Sequence, residues 1–253
     1  MPRTSLIIVN YKTPKQTKLC LRSIQRYTRV SHETIVVDNR SGDASLDYLR
    51  RLSWIRLIEN EHPQPSHRNG LDAGIAHSRG EIIVILHTDT FVRKEGWLET
   101  LLGFMDDDTM ILGSPDRTIL PINPGQRAAL WWKRRKMSRQ WKAWGQSPRI
   151  ISHCALYRRE LFTQHSQCFD HPQWVEGIYS DCGEVIQRYC EEKSLGIRLL
   201  SREQLEPLFW HFEGATLNTV TGRSLPFKRR FRTWRFYRRP EVCAILADAS
   251  LDR

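Results

Sequence analysis

The stretch GEIIVILHTDTFV, residues 80–92, places an apolar run directly before a polar cluster, with no turn residue between them. The segment from Ile82 to Leu86 is too short for a helix and is rich in β-branched residues. It therefore predicts a strand buried on both faces, as in a parallel sheet covered by helices. The polar residues 87–90 then lie at the carboxyl end of that strand. In open α/β sheets this edge is where ligands bind.

The sequence around this stretch alternates between strand and helix patterns. Strands are predicted at 5–10, 33–38, 55–59 and 81–86, and helices at 14–27, 45–52 and 69–78. Such alternation indicates βαβ units and a parallel sheet. The chain contains neither GxGxxG nor a GxxxxGK motif followed by Ser or Thr, so neither the dinucleotide fingerprint nor the P-loop supports a dinucleotide-binding or ATPase function.

Length and composition suit a globular protein. The 253 residues, 40% of them hydrophobic, are enough for one large α/β domain or for one domain with an appendage.

Six scattered cysteines without a CxxC pair argue against a zinc site and a disulfide scaffold, and we expect free thiols. No apolar stretch approaches the roughly 20 residues of a membrane span, and the apolar part of the start is too short for a secretory signal, so we expect a cytoplasmic protein.

The formal charge of +11 is unevenly distributed. Residues 127–159 contain ten Lys or Arg and residues 217–240 contain eight, with no Asp or Glu in either segment and with aromatic residues interleaved in both. This composition suits contact with an anionic membrane surface, an acidic glycolipid or a nucleic acid. The alternative is a solvated surface with some of the aromatic residues turned into the core.

Four segments in this order resemble the family 2 glycosyltransferases, especially the bacterial rhamnosyltransferase-like branch. They are SLIIVNYK (5–12), ETIVVDNRSGDAS (33–45), RNGLDAGIAHSRGEIIVILHTDTFV (68–92) and FWHFEGAT (209–216). The resemblance is strong over 4–112 and weak over 150–216. It implies a GT-A-like α/β fold, with a mostly parallel sheet flanked by helices. It also implies a domain at 1–218, made of a nucleotide-binding half (1–112) and an acceptor half (113–218), followed by a basic aromatic C-terminal extension at 219–253.

The resemblance also implies an activity. A member of this family would transfer a hexosyl or deoxyhexosyl group, with inversion, from a UDP-, dTDP- or GDP-sugar to a glycan or glycolipid acceptor. The branch implies a role in cell-surface polysaccharide or lipopolysaccharide synthesis, in the cytoplasm and peripherally on the inner face of the membrane. The alternative is a degenerate transferase fold that binds nucleic acid or another polyanion. Because the basic segments show no DNA- or RNA-binding signature, no nucleic-acid partner is expected.

By the same resemblance, His87-Thr88-Asp89 occupies the place of the Asp-x-Asp element that holds Mn²⁺ or Mg²⁺ against the donor diphosphate. Asp89 matches the metal-binding position, although it would also suit a helix cap or an Asx turn. His87 departs from the pattern, and its imidazole would ligate the metal, touch the ribose or simply be hydrogen-bonded. His211 matches a late histidine that completes the metal shell or contacts the diphosphate, or else it is a satisfied core residue.

The nucleotide site is expected at the ends of the first two strands. Asp38 lies opposite Asn10 and Tyr11, and the family uses these positions for the base and the ribose. The alternative for Asp38 is a turn capped by Asx and Ser side chains. Thr88 is expected to contribute to the same site. Arg68 would reach a phosphate or lie on the surface.

An inverting transfer also requires a base for the acceptor hydroxyl. In relatives it comes from a Glu-Asp pair that opens a helix in the second half, followed by an arginine within two turns. The matching segment here is 179–196, in which Asp181 is the first choice and Glu184 the alternative. The two residues also have the spacing of a capping box.

Overall fold

The structure is a computed structural model. It describes residues 3–121, 124–143, 148–171, 174–175, 178–179, 182–212 and 227–253. The strands are β1 (Thr4–Asn10), β2 (His32–Asp38), β3 (Arg56–Glu59), β4 (Ile82–His87), β5 (Thr90–Val92), β6 (Thr109–Ser114), β7 (Ile151–Arg158), β8 (Trp174–Val175), β9 (Ile178–Tyr179), β10 (Gly196–Leu199) and β11 (Phe209–His211). The helices are α1 (Pro14–Tyr27), α2 (Ala44–Leu49), α3 (His67–Ala76), α4 (Trp97–Leu102), α5 (Pro124–Ala143), α6 (Glu160–Thr163), α7 (Glu184–Glu192), α8 (Arg202–Leu205), α9 (Phe227–Phe236) and α10 (Pro240–Ala247).

A seven-stranded sheet organises the fold, in the order β10-β6-β7-β4-β1-β2-β3. The pairs β4–β1, β1–β2, β2–β3 and β6–β10 are parallel, whereas β7 runs antiparallel to both β4 and β6. The predicted mostly parallel α/β sheet is therefore confirmed. The antiparallel strand β7 comes from the second half of the chain and joins the two parallel parts of the sheet.

The first half follows the pattern of its sequence closely. All five residues from Ile82 to Leu86 are buried, at 4% exposure or less, as the apolar run predicts. Helix α1 begins at Pro14, because proline tolerates the first turn, where its missing N–H is not needed. Its residues Leu21 and Ile24 pack against one face of the sheet, whereas Leu19 joins a separate cluster with the C-terminal segment. The helix is therefore covered on two sides.

Helix α3 lies unusually close to the sheet because two glycines face it. A Cβ atom at Gly74 would lie 2.6 Å from Cγ2 of Ile7, and one at Gly70 would lie 3.0 Å from both Asn39 and Val9. Ser66 caps the start of the helix in a capping box with Asn69. The close packing brings this capped end to the carboxyl edge of β1 and β2.

The C-terminal segment packs onto the first half. Val242 and Ile245 of α10 are buried with Leu19 of α1 in one apolar cluster. Beyond α10, both carboxylate oxygens of Asp252 accept hydrogen bonds from the guanidinium of Arg22, at 2.8 and 2.6 Å. The predicted boundary between 218 and 219 lies within residues 213–226, outside the described residues, so it stays a prediction.

No helix in the described part of the chain has both the length and the apolar character needed to cross a membrane.

Candidate functional site

The carboxyl ends of β1, β2 and β4 bring the predicted residues together. Asn10 pairs with Asp38 in the parallel register of β1 and β2, and Val9 pairs with His87 in that of β1 and β4. Because parallel strands end at the same edge, these side chains converge even though they are distant in sequence. The edge predicted from the sequence is therefore where the candidate residues meet.

Asp38 is the centre of a buried polar network. Its Oδ1 accepts hydrogen bonds from Nδ2 of Asn10 and Oγ of Ser41, both at 2.6 Å, and its Oδ2 accepts from the backbone N–H of Ser41 at 2.9 Å. Asn10 Nδ2 also lies 2.8 Å from Oγ of Ser45. A carboxylate has about four acceptor sites, so these bonds leave little further capacity. The capped turn that was the alternative for Asp38 is thus present, and contact with a base stays a prediction.

A chain of hydroxyl groups connects this network to the end of β4. Oδ1 of Asn10 accepts from Oγ1 of Thr17 at 2.6 Å and from Oγ1 of Thr13 at 3.2 Å. Thr13 in turn lies 3.2 Å from Oγ1 of Thr88. Tyr11, beside this chain, is partly exposed, and its ring has the ammonium of Lys12 5.3 Å from its centroid. Tyr11 is therefore accessible, as contact with a base requires.

His87, Asp89 and His211 form a cluster with the composition of a metal site. Each offers one ligand atom, and these atoms all lie within 4.8 Å of one another. All three side chains are largely shielded from solvent, with Asp89 at 5% and His211 at 2% exposure. Two imidazoles and a carboxylate form a ligand set that suits divalent transition metals. The three residues named as metal ligands from the sequence therefore lie within reach of a single ion.

The tautomer of His211 also supports a cation site. Its Nδ1 lies 2.7 Å from the carbonyl oxygen of Arg117, so Nδ1 carries the proton and donates. In this tautomer Nε2 is an acceptor; it lies 3.1 Å from Oδ1 of Asp89 and has no hydrogen-bond partner among the described residues. Two acceptor atoms that face each other in a buried site repel, and a cation between them removes the repulsion. The residues present fit a bound divalent ion.

His87 is held as a neutral imidazole. Burial, followed by the neighbouring His67, lowers the pKa of His87 to about 3. A metal-binding histidine must be unprotonated, so this environment keeps it in the ligand form. Its Nε2 lies 3.1 Å from Oγ of Ser152, which fixes the ring. The hydrogen-bonded alternative for His87 is therefore observed, together with its place in the metal cluster.

Two further histidines surround this cluster and were not singled out from the sequence. His153 of β7 stacks on His211 at 4.5 Å between ring centroids, and the edge of His67 meets His87 at 5.0 Å. His153 is fully buried and His67 partly so, and burial is the main cause that lowers the pKa of His67 to about 4 and that of His153 well below its usual value. The signal for His153 was a histidine within the mostly buried strand segment ISHCALYR.

The second-half candidates are placed only in part. Asp181 lies outside the described residues. Glu184 is the first residue of α7, and the helix is capped by Gly183, whose φ of 85° suits glycine. A capping box would place Glu184 at the third helical position, whereas it is the first helical residue; its partner Asp181 lies outside the described residues. Glu184 Oε1 lies 2.7 Å from Arg188 and 3.5 Å from Arg149.

Arg68 is buried rather than exposed, with 9% of its surface accessible. It lies in the first turn of α3, and Nη1 donates to the carbonyl oxygen of His171 at 2.7 Å. The surface alternative for Arg68 is therefore wrong, because the guanidinium is fixed between α3 and the segment that precedes β8. A contact with phosphate stays a prediction.

Comparison with known proteins identifies similar sequences and folds. The sequence profile described as "Glycosyl transferase family 2" matches residues 5–165. The protein named "Putative glycosyltransferase EpsH" from Bacillus subtilis (strain 168) is 29% identical over 116 residues, which are 43% of this chain and 32% of EpsH. The chain thus matches about a third of the length of this curated relative.

Two solved structures resemble the fold over most of the chain. A mannosyltransferase, PcManGT from Pyrobaculum calidifontis, in complex with GDP-Man and Mn²⁺, has a TM-score of 0.50 at 15% identity, covering 99% of this chain and 85% of its own. Glucosyl-3-phosphoglycerate synthase from Mycobacterium tuberculosis, in complex with phosphoglyceric acid, has a TM-score of 0.53 at 19% identity, covering 78% and 69%. The α/β fold of this chain is therefore of the GT-A type.

Proposed function

We propose that this chain, which belongs to glycosyl transferase family 2, transfers a hexosyl or deoxyhexosyl group from a nucleotide-sugar donor to a glycan or glycolipid acceptor with inversion. The observation that carries the proposal is the cluster of His87, Asp89 and His211 at the same sheet edge as the Asn10–Asp38 network. A cation site beside a buried polar network suits a nucleoside diphosphate. The similar fold of PcManGT was solved with GDP-Man and Mn²⁺, which supports the same pairing here. The role in surface polysaccharide or lipopolysaccharide synthesis rests on the sequence resemblance.

We assign the divalent cation to His87, Asp89 and His211. When bound, Mn²⁺ or Mg²⁺ neutralises the negative charge that develops on the leaving nucleoside diphosphate. Within the chain, Ser152 and the carbonyl of Arg117 orient the two imidazoles through hydrogen bonds at 3.1 and 2.7 Å. Thr88 and Arg68 are the proposed contacts for the diphosphate, and Asn10, Tyr11 and Asp38 those for the nucleoside.

For the acceptor hydroxyl we propose Asp181 as the base. Glu184 is the weaker candidate because Arg188 and Arg149 both approach its Oε1, which turns the carboxylate toward two guanidinium groups. These ion pairs give Glu184 a supporting role, since they connect the start of α7 to the segment before β7. The base would accept the proton as the hydroxyl attacks the anomeric carbon on the face opposite the leaving diphosphate.

For a glycolipid acceptor, the enzyme is proposed to work peripherally at an anionic membrane surface. Support comes from two exposed aromatic pairs on basic helices. Trp131 and Trp132 of α5 are 52% and 66% exposed, and Phe231 and Trp234 of α9 are 48% and 50% exposed. Exposed tryptophans beside arginines suit the headgroup region of a membrane.

The experiment that tests the proposed function is thermal unfolding with UDP, dTDP or GDP, each with and without Mn²⁺. We expect one nucleotide to stabilise the protein, and to do so more strongly with Mn²⁺, because binding to the folded state adds to its stability. Heparin and single-stranded DNA serve as polyanion controls. If only these stabilise the protein, and salt abolishes the effect, the chain is a polyanion-binding module instead.

A further inference from the structure

We propose that the C-terminal segment completes the donor site and that the hydroxyl of Tyr237 hydrogen-bonds to the phosphates of the nucleotide-sugar donor. This inference rests on the proposed function and adds a residue from outside the matched family region, which ends at 165. It assigns to the segment after α9 a direct contact with substrate, in addition to its packing role.

The position of Tyr237 follows from the packing of its neighbours. Phe236 is 3% exposed and packs against Phe212 with ring centroids 4.3 Å apart, and the ring of Tyr237 meets that of Phe212 at 5.7 Å. Phe212 directly follows His211, and its N–H donates to the carbonyl oxygen of Asp89 at 3.3 Å. Phe212 thus contacts the ring of Tyr237 on one side and the backbone of the proposed metal ligand Asp89 on the other.

The hydroxyl of Tyr237 is available to contact a ligand. Its oxygen is buried and has no hydrogen-bond partner among the described residues. An unpaired buried hydroxyl is unfavourable, so such groups call for an explanation such as a ligand. Burial and the nearby Asp89 raise the pKa of Tyr237, which keeps the hydroxyl protonated as a donor. The group therefore suits an acceptor oxygen on a bound molecule.

The surroundings of Tyr237 favour an anionic ligand. The ammonium of Lys15 lies 4.1 Å from the centroid of its ring, in the first turn of α1. Oγ1 of Thr13, in the turn before this helix, lies 3.2 Å from Oγ1 of Thr88, the residue between the proposed metal ligands His87 and Asp89. A phenolic donor, an ammonium group and the positive end of a 14-residue helix together suit phosphate oxygens. The donor diphosphate, held beside Asp89, presents such oxygens.

The test compares two Tyr→Phe variants that remove only a hydroxyl. Binding of pyrophosphate and of UDP, dTDP and GDP, each with Mn²⁺, is measured by calorimetry, and melting temperatures are measured without ligand. For Tyr237→Phe we expect Kd to rise by about 10-fold or more, the order expected when a hydrogen bond to a charged group is lost. Its melting temperature should be unchanged or higher, because the buried hydroxyl has no partner among the described residues to lose.

Tyr48→Phe is the matched control with the opposite expected pattern. The hydroxyl of Tyr48 lies 2.7 Å from Oδ1 of Asp252, so its removal should lower the melting temperature and leave Kd unchanged. Lys15→Met, which keeps the apolar stem, should also weaken binding. Equal Kd values for wild type and Tyr237→Phe would overturn the inference. A wild-type protein that binds none of these ligands would instead overturn the proposed function.

Discussion

His211 Nε2 lies 3.1 Å from Asp89 Oδ1 because β11 pairs antiparallel with β5, with His211 opposite Thr90. This short sheet is separate from the main one, and its register, together with two backbone hydrogen bonds between His211 and Ile119, determines which residue of β11 faces Asp89. A slip of one residue would turn His211 to the other side of the strand. The bond from the N–H of Phe212 to the carbonyl of Asp89 extends the alignment beyond the strand end. The approach of His211 to Asp89 thus depends on the pairing of the three residues of β11 with β5.

Asp89→Asn should abolish Mn²⁺ binding and sugar transfer while the protein remains folded. The substitution keeps the size of the side chain and removes the charge that opposes the cation. The check is the shift in melting temperature on adding Mn²⁺, followed by donor turnover. Asp47→Asn, at an exposed position on α2, is the matched control and should behave as wild type. Undiminished turnover in EDTA would contradict the metal assignment.

His87→Asp should shift the ion preference of the site from Mn²⁺ toward Mg²⁺. Mg²⁺ prefers oxygen ligands, whereas imidazole nitrogen suits transition metals, so two imidazoles favour Mn²⁺ over Mg²⁺ in the wild-type site. Calorimetric titration of the EDTA-treated proteins with each ion gives the ratio of Kd values. His77→Gln, at the exposed end of α3, controls for the loss of a histidine elsewhere. An unchanged ratio would show that His87 is not a ligand.

Asp181→Asn should lower kcat by about 10²-fold or more, the order expected when general-base assistance is lost, with little change in nucleotide Kd. Glu184→Gln should have a smaller effect on kcat and should lower stability, because it breaks the contacts with Arg188 and Arg149. Steady-state kinetics and nucleotide titration on both variants provide the check. The reverse order of effects on kcat would assign the base to Glu184.

Stability should fall as the pH falls below about 6.5, the pKa of an unfolded histidine. Burial is the main cause that lowers the folded-state pKa of His67 to about 4, of His87 to about 3 and of His153 well below its usual value. Between pH 6.5 and 5 the unfolded chain therefore binds protons that the folded chain does not. Once the pH is well below 6.5, each histidine lowers the free energy of unfolding by roughly 1.4 kcal/mol per pH unit.

Urea unfolding of the EDTA-treated protein at several pH values measures this slope. His153→Gln removes one of the three imidazoles. The free energy of unfolding of this variant should therefore change less steeply with pH, by up to the contribution of one histidine, whatever its absolute stability. Equal slopes for the variant and the wild type would mean that His153 is protonated in the folded state.

Phe231→Ala with Trp234→Ala should reduce co-sedimentation with anionic liposomes and leave the melting temperature nearly unchanged. Both rings are about half exposed and stack on each other, so their removal does not open the core. Trp131→Ala with Trp132→Ala tests α5 in the same way. Sedimentation at low salt and at about 0.5 M salt separates charge contacts from aromatic insertion, because screening weakens only the former. Wild-type binding by both double variants would contradict the membrane role.

The first half of the fold was predictable because its signals are local. The apolar runs of β1, β2 and β4 and the amphipathic pattern of α1 predict their elements to within one or two residues at each end. The antiparallel insertion of β7 between β4 and β6 could not be predicted, since it depends on a pairing between distant segments. The packing of α10 on α1 is also non-local, and the basic composition around it suggested a solvated or membrane-facing segment instead.

The site was predictable where a motif carried it. His87 and Asp89 follow a buried strand, and His211 came from the resemblance to the family. His153 was missed because its partner His211 lies in another sheet, and stacking between them leaves no trace in either local sequence. The hydrogen bonds of Asp38 with Asn10 and Ser41 could not be predicted either, because a turn composition does not reveal which side chains bond to which.

The ion pair of Arg22 with Asp252 joins residues 230 positions apart in the sequence. Helix α1 can form early from local contacts, but the apolar cluster around Leu19 is complete only once α10 has packed on it. Contacts of such high sequence separation form late and slow the folding of a chain. During that interval the incomplete cluster is available to other molecules, and transiently exposed apolar surface promotes aggregation. Efficient refolding of this protein is therefore favoured by low concentration, which gives the intramolecular contact time to form before an intermolecular one.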